Sequence, residues 1–295
     1  MPLVATLISH PAARLLTPPL ATIASAAGGA SAIDWLADRV ACDLALPADL
    51  GKAAAMAALA DSLAGTDIDF VVHDAATRRK KILIADMDST MIDQECIDEL
   101  ADEVGLKDRV AAITARSMNG EIAFEPALRE RVALLKDLDF SVIDRIIDNR
   151  LTLASGGQAL VRTMRRNGAW TALVSGGFDV FTRRIAEQLG FQENRANRLI
   201  ETGGRLAGEV AEPILGRAAK ADALNEIAAR LGLTPADAIA VGDGANDLDM
   251  LRLAGMGVAL HAKPAVAAEA GIRIDHGDLT ALLYLQGYRE AEIVA

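Results

Sequence analysis

The chain has 295 residues, 52% of them hydrophobic and 24% charged, a globular composition that excludes disordered and collagen-like architectures. Its length predicts two domains of ordinary size, and with aromatics at only 3% their cores must be built from Ala, Leu, Ile and Val. Thirty basic against 41 acidic residues leave a net charge of −11, which argues against a general nucleic-acid or anionic-membrane surface and means that an anionic substrate must be held by a local cation.

At the N-terminus, MPLVATLISHPAARLL lacks a basic leader and is interrupted by His10, Pro11 and Arg14, so no signal peptide is expected. No stretch approaches the ~20 continuous apolar residues of a membrane span, and a cytoplasmic protein is the expectation. Residues 1–77 alternate short strands and helices: a strand over Leu3–Ser9, a helix after Pro18–Pro19, strands over Ile33–Val40 and Cys42–Leu46, a helix over Asp49–Leu63 with Asp49 as N-cap, and a strand over Asp67–His73. The order βαββαβ predicts a small ferredoxin-like α+β sandwich. Thr77–Lys81 (TRRKK) reads as a charged hinge. Beyond it, Ile82–Asp86 (ILIAD) is a buried strand ending in acid, and Ile92–Leu153 is helical and strongly charged. Helices around Gln158–Asn167 and over Val180–Leu189 then alternate with strands at Trp170–Val174 and Ala238–Val241, the pattern of a doubly wound parallel sheet. A parallel pair needs a connection of about a dozen residues. The stretch between the strands ending at Asp86 and Val174 is several times that, and the surplus predicts a helical insert. The two cysteines, Cys42 and Cys96, make no metal or disulfide pattern, and the four histidines lack zinc spacing.

Three predicted strands end in polar clusters: DMDST at Asp86–Thr90, SGG at Ser175–Gly177 and GDGANDLD at Gly242–Asp249. Ligands bind beyond the carboxyl ends of strands in open α/β sheets, so the three can share one crevice. Two carboxylates at a buried strand end, Asp86 and Asp88, require compensation, and a Mg²⁺ ion with Asp243 as a further ligand supplies it economically. One Asp could then attack phosphorus while the other serves as general acid and base. DxDxT alone reads equally well as a solvated turn with Asp88 capping a helix. Ser175–Gly177 could cradle phosphate at a helix start or be a glycine turn. Lys220 alone reads as a surface lysine, and Asn246 and Asp247 could cap a helix.

Together these motifs resemble the haloacid dehalogenase superfamily. The strings DMDSTMIDQE, NGEIAFEPALRERV, LVSGGFD and VGDGANDLDM resemble its phosphoserine phosphatase family over roughly residues 80–285. The resemblance implies an N-terminal ACT-like domain over 1–77, an α/β core over 78–92 and 154–295, and a helical cap over 93–153. It implies Mg²⁺-dependent hydrolysis of O-phospho-L-serine, the last step of L-serine biosynthesis. Asp86 would be the nucleophile that becomes an aspartyl-phosphate and Asp88 the acid/base. Mg²⁺ would be held by Asp86, the Asp88 carbonyl and Asp243, with Asp247 supporting those ligands. Ser175, Gly176, Lys220 and Asn246 would bind the phosphoryl group and substrate. In the insert, Glu95 would pair with the substrate ammonium and Arg131 with its carboxylate, beneath Met118 and Phe124. No nucleic-acid or membrane partner is implied, and the N-terminal domain could pair two copies in a homodimer. A phosphotransferase acting on an amino-acid alcohol, a receiver-type phospho-acceptor and a catalytically silent sensor are the competing readings of the same motifs.

Overall fold

The computed structural model describes residues 3–118 and 121–294. Its N-terminal part runs β1 (Leu3–Ile8), α1 (Pro18–Ala27), β2 (Ile33–Ala37), β3 (Ala41–Ala45), α2 (Lys52–Ser62) and β4 (Asp69–Asp74). The strands form an antiparallel sheet in the order β2-β3-β1-β4, the ferredoxin-like arrangement expected. Thr17 caps α1 and two prolines occupy its first turn, where their missing N–H groups are not needed. Asp49 is not the cap of α2. That helix begins at Lys52, with Gly51 in the cap position.

One face of this sheet, through Ala5, Leu7, Cys42, Leu44 and Val72, packs on its own two helices. The other face joins the main core through Ile8, Ala41 and Val71. Asp69 fixes the docking: its buried carboxylate accepts the N–H groups of Asp275, His276 and Gly277 at 2.7–3.3 Å. The segment 77–81 is therefore a pinned strap rather than a free hinge. Arg78 pairs with Asp43 at 2.6 Å, and the Arg79 guanidinium lies 3.5 Å from the centre of the Tyr288 ring.

The second sheet contains β5 (Ile82–Ala85), β6 (Trp170–Phe178), β7 (Glu193–Asn197), β10 (Ala238–Gly242), β11 (Met256–Leu260) and β12 (Ile272–Ile274). All are parallel, in the order β12-β11-β10-β5-β6-β7. Both faces are buried, so the strands read as continuous apolar runs. Ile82 and Ile84 face α9 (Arg217–Arg230) and α10 (Leu248–Leu253). Leu83 and Ala85 face the opposite layer, which includes α7 (Gly157–Arg166), α8 (Asp179–Leu189) and the short helix Ala281–Leu285. The connection from β5 to β6 carries the expected helical insert: α3 (Cys96–Glu103), α4 (Lys107–Met118), α5 (Phe124–Ala133) and α6 (Val142–Asn149). A bridge between Ile92 and Leu153 closes its base.

A hairpin of β8 (Leu199–Thr202) and β9 (Arg205–Val210) is absent from the pattern read in the sequence, as are β7, β11 and β12. The hairpin sequence is polar, and its burial comes from the insert: Asp137 N–H donates to Leu206 O at 2.8 Å and Phe140 N–H to Gly204 O at 2.9 Å. Among the described residues no helix is long and apolar enough to cross a membrane.

Candidate active site

The strand order places β10, β5 and β6 side by side, so the three polar clusters end at adjacent positions on one edge of the sheet. They line one wall of a cavity of about 680 Å³, and the insert supplies the other.

Asp86 follows β5 directly and is buried. Its Oδ1 accepts the Met87 N–H at 2.8 Å and lies 2.7 Å from Lys220 Nζ. The chain then folds back sharply: Met87 O accepts the N–H groups of Thr90, Met91 and Ile92, and Ser89 takes a left-handed φ of 55°. This tight turn brings Asp88 beside β6. Its Oδ1 accepts the Cys96 N–H at 2.9 Å and its Oδ2 accepts the Ser175 hydroxyl at 3.1 Å. Asp88 thus satisfies the first turn of α3 and also faces the cavity, so its bond to the helix does not remove it from the crevice.

Ser175–Gly177 does not start a helix. It continues β6, and α8 begins only after Phe178. Gly177 has no room for a side chain, since a Cβ there would lie 2.8 Å from Asp88 Oδ2. On β10, Gly242 is similarly constrained: its Cβ would meet Asp247 Cγ at 2.3 Å. Asp247 does not cap α10 with its side chain. The carboxylate turns inward to Lys220 Nζ at 2.6 Å and to Gly244 N–H at 3.0 Å.

Lys220 is fully enclosed in α9 and lies behind the cavity wall rather than on it. Burial alone would lower its pKa, but Asp247 and Asp86 prevail and hold it above the ordinary lysine value. Asp86, Asp243 and Asp247 bring carboxylate oxygens within 4.8 Å of one another. Two unit charges at that spacing repel by roughly 3 kcal/mol at an effective dielectric of 20, so one lysine cannot settle three carboxylates. The imbalance raises the carboxyl pKa values of Asp86 and Asp243. Burial, then Asp247, pushes Asp86 well above the carboxylate range and Asp243 up to about 6. An all-oxygen donor set with surplus negative charge fits a hard divalent cation. Asp247 lies in this cluster by distance, but both its oxygens are engaged by Lys220 and Gly244, and the Asp88 carboxylate stands outside it.

On the insert side, Glu95 accepts the Ser89 hydroxyl at 2.9 Å. Solvent reaches it through the cavity mouth, but protein surrounds it, and burial followed by the Asp88 charge pushes its carboxyl up to about 7. Arg131 is held by Ala127 O and Thr114 Oγ1, both at 3.2 Å, and forms no ion pair among the described residues. Burial lowers its pKa, opposed by Glu95 and Asp98. Phe124 lies over Gly176, 3.5 Å from where a Cβ would stand. Asn246 lines the cavity beside Gly244. The side chain of Met118, the last residue of α4, lies outside the described residues. Three charged cavity residues escaped the sequence reading: Asp98, Arg217 and Lys263. Lys263 follows the carboxyl end of β11 and stands 3.8 Å from Asp243, so the strand-end rule would have found it had β11 been recognised.

A family model described as haloacid dehalogenase-like hydrolase matches residues 83–252. The chain belongs to the haloacid dehalogenase-like hydrolase family. A phosphoserine phosphatase of Streptomyces coelicolor is 42% identical over 78% of this chain, which spans only 56% of that protein. A solved structure described as a phospho-aspartyl intermediate analogue of phosphoserine phosphatase is 40% identical, covering 70% of this chain and 98% of its own, with a TM-score of 0.65. A probable phosphoserine phosphatase from Vibrio cholerae, 28% identical, covers 99% of this chain and 88% of its own, with a TM-score of 0.80. The chain thus belongs to a family whose named relatives are phosphatases, and the Vibrio likeness extends over its N-terminal sheet.

Proposed function

We propose that this chain is a Mg²⁺-dependent phosphoserine phosphatase that converts O-phospho-L-serine and water to L-serine and phosphate, closing L-serine biosynthesis in the cytoplasm. The observation that carries the reading is the pairing of opposed walls. Strand-end carboxylates on one side suit phosphoryl transfer, and Glu95 with Arg131 on the other suits an ammonium and a carboxylate. A sugar phosphate would use neither group.

Asp86 attacks phosphorus with the oxygen that Lys220 and Met87 leave free. The bond from phosphorus to the serine oxygen breaks, and Asp88 gives that oxygen its proton. Water then attacks the aspartyl-phosphate, Asp88 takes the proton back, and phosphate leaves Asp86. The Ser175 hydroxyl, Gly176 and Asn246 hold the phosphoryl group, and Lys220, paired with Asp86 from behind the wall, offsets the charge that develops there. Mg²⁺ held by Asp86, Asp243 and the Asp88 carbonyl, with Asp247 supporting those ligands, would supply electrophilic stabilisation of that charge. Phe124 excludes water above the substrate. In domain terms, 93–153 is the cap, 78–92 with 154–295 the catalytic core, and 1–77 an ACT-like unit.

The test is phosphate release from O-phospho-L-serine, O-phosphothreonine and glucose 6-phosphate, with and without Mg²⁺. Selective, metal-dependent release from phosphoserine is expected. Release from the sugar phosphate alone would overturn the role given to Glu95 and Arg131.

A further inference from the structure

We propose that Asn197 is a positioning residue that orients the Gly176–Gly177 peptide toward the phosphoryl site and ties it to the start of the lysine-bearing helix. The inference rests on the phosphatase reading above. It begins with a gap in the sheet. The β6–β7 ladder pairs Val174 with Arg195 and resumes only at Phe178 with Asn197, so Ser175–Gly177 bulges free of its neighbouring strand. Two glycines without ladder bonds have little intrinsic preference for one peptide orientation.

The Asn197 side chain takes the place of the missing ladder. It is buried, 1% exposed. Its Nδ2 donates to Gly176 O at 2.8 Å and to Leu215 O at 3.3 Å, and its Oδ1 accepts the Leu215 N–H at 2.7 Å. The two ends of the amide are therefore not interchangeable. In a trans peptide the C=O and the following N–H point in opposite directions. Holding the Gly176 carbonyl on Asn197 therefore turns the Gly177 N–H the other way, where it donates to Ser175 Oγ at 2.8 Å. That hydroxyl is the one that donates to Asp88. A flipped peptide would present a carbonyl oxygen where a phosphoryl oxygen must bind. Leu215 stands two residues before α9, so the same amide also anchors the entry to the helix that carries Lys220.

Asn197→Asp keeps the shape and the Leu215 N–H bond but sets a carboxylate against two carbonyls. Asn197→Ala removes the bonds without adding charge. Both are compared with the parent, below their melting temperatures, for kcat and KM and for inhibition by inorganic phosphate and by L-serine. The expected result is folded protein with kcat reduced tenfold or more and the phosphate inhibition constant raised about tenfold, while inhibition by L-serine, which touches the insert, stays within twofold. If Asn197→Asp does not fold, Asn197→Ala decides. Phosphate inhibition and kcat within twofold of the parent, an equal loss of phosphate and serine binding, or failure of both variants to fold would overturn the proposal. p-Nitrophenyl phosphate and calorimetric titration with inorganic phosphate run in parallel. A parent enzyme that binds phosphate but ignores phosphoserine refutes the substrate reading, while the phosphate comparison still decides the role of Asn197.

Discussion

Glu95 and Arg131 face one cavity with opposite charge, and their effects separate by substrate. The Glu95 carboxyl, pushed up to about 7, is charged above that pH and neutral below it. Only the charged form pairs with an ammonium, so KM for O-phospho-L-serine should rise as pH falls below about 7, and Glu95→Gln should flatten that dependence. KM for p-nitrophenyl phosphate, which has no ammonium, should not share it. Arg131 lends its hydrogen bonds to Ala127 and Thr114 and leaves its charge for the substrate. A charge-assisted hydrogen bond contributes about 1.5–3 kcal/mol. Arg131→Ala should therefore raise KM for phosphoserine by roughly 10- to 100-fold, with the rate on p-nitrophenyl phosphate within a few-fold of the parent. Equal losses on both substrates would mean that Arg131 only supports the insert.

At the scale of elements, the site depends on turns that bring charged groups close to backbone. Gly242 ends β10 against Asp247, where an added Cβ would overlap the carboxylate carbon at 2.3 Å. Gly242→Ala should displace Asp247 from Lys220 and lower kcat at least tenfold, read alongside a fall in melting temperature. Unchanged kcat in the folded variant would show that the Lys220–Asp247 pair is dispensable. The strands carrying this chemistry were legible because each is a short apolar run stopped by an acid, a serine or a glycine, and the buried insert helices by their charge-flanked apolar spacing. β7 and the β8–β9 hairpin were not. Segments such as ENRAN and LIET have no apolar alternation, and they are strands because the bulged β6 and the insert pack on them. Lys220 reads as a surface residue in a helix, and only the fold reveals the two carboxylates that enclose it. The β6 extension through SGG was hidden for the same reason: glycine signals a turn locally, while the Asn197 bond to Gly176 and the pairing that resumes at Phe178 keep the segment extended.

At the scale of the whole molecule, a buried polar chain ties the N-terminal sheet to the strap that leads into the second sheet. Thr6 Oγ1 donates to Asp43 at 2.7 Å and lies 2.9 Å from His73 Nε2, while Arg78 in the strap closes on the other Asp43 oxygen. With the Thr6 proton on Asp43, the His73 Nε2–H donates to Thr6, and Nδ1 is left without a partner. Burial, then the Arg78 charge, lowers the His73 pKa from 6.5 to about 4. The unfolded chain therefore takes up the proton first. This contribution is fully present above about pH 6.5 and is lost as pH falls toward 4, by up to about 3 kcal/mol. Melting temperature should drop over that interval in the parent and drop less in His73→Asn. An identical pH slope in the two proteins would remove His73 as its source. The net charge of −11 gives an anionic substrate no general attraction. Recognition must then lie in local cations, and Arg131, Arg217 and Lys263 line the cavity.

Nucleophilic attack by Asp86 is the claim from which the rest follows. The direct measurement is acid quenching of the enzyme during turnover of O-phospho-L-serine with Mg²⁺, followed by peptide mapping by mass spectrometry. Phosphate on Asp86, absent in Asp86→Asn together with a loss of phosphate release of at least about 10³-fold, is the predicted result. Turnover with no phosphorylated peptide under conditions that preserve acyl phosphates, or phosphate mapped to Asp88, would contradict it.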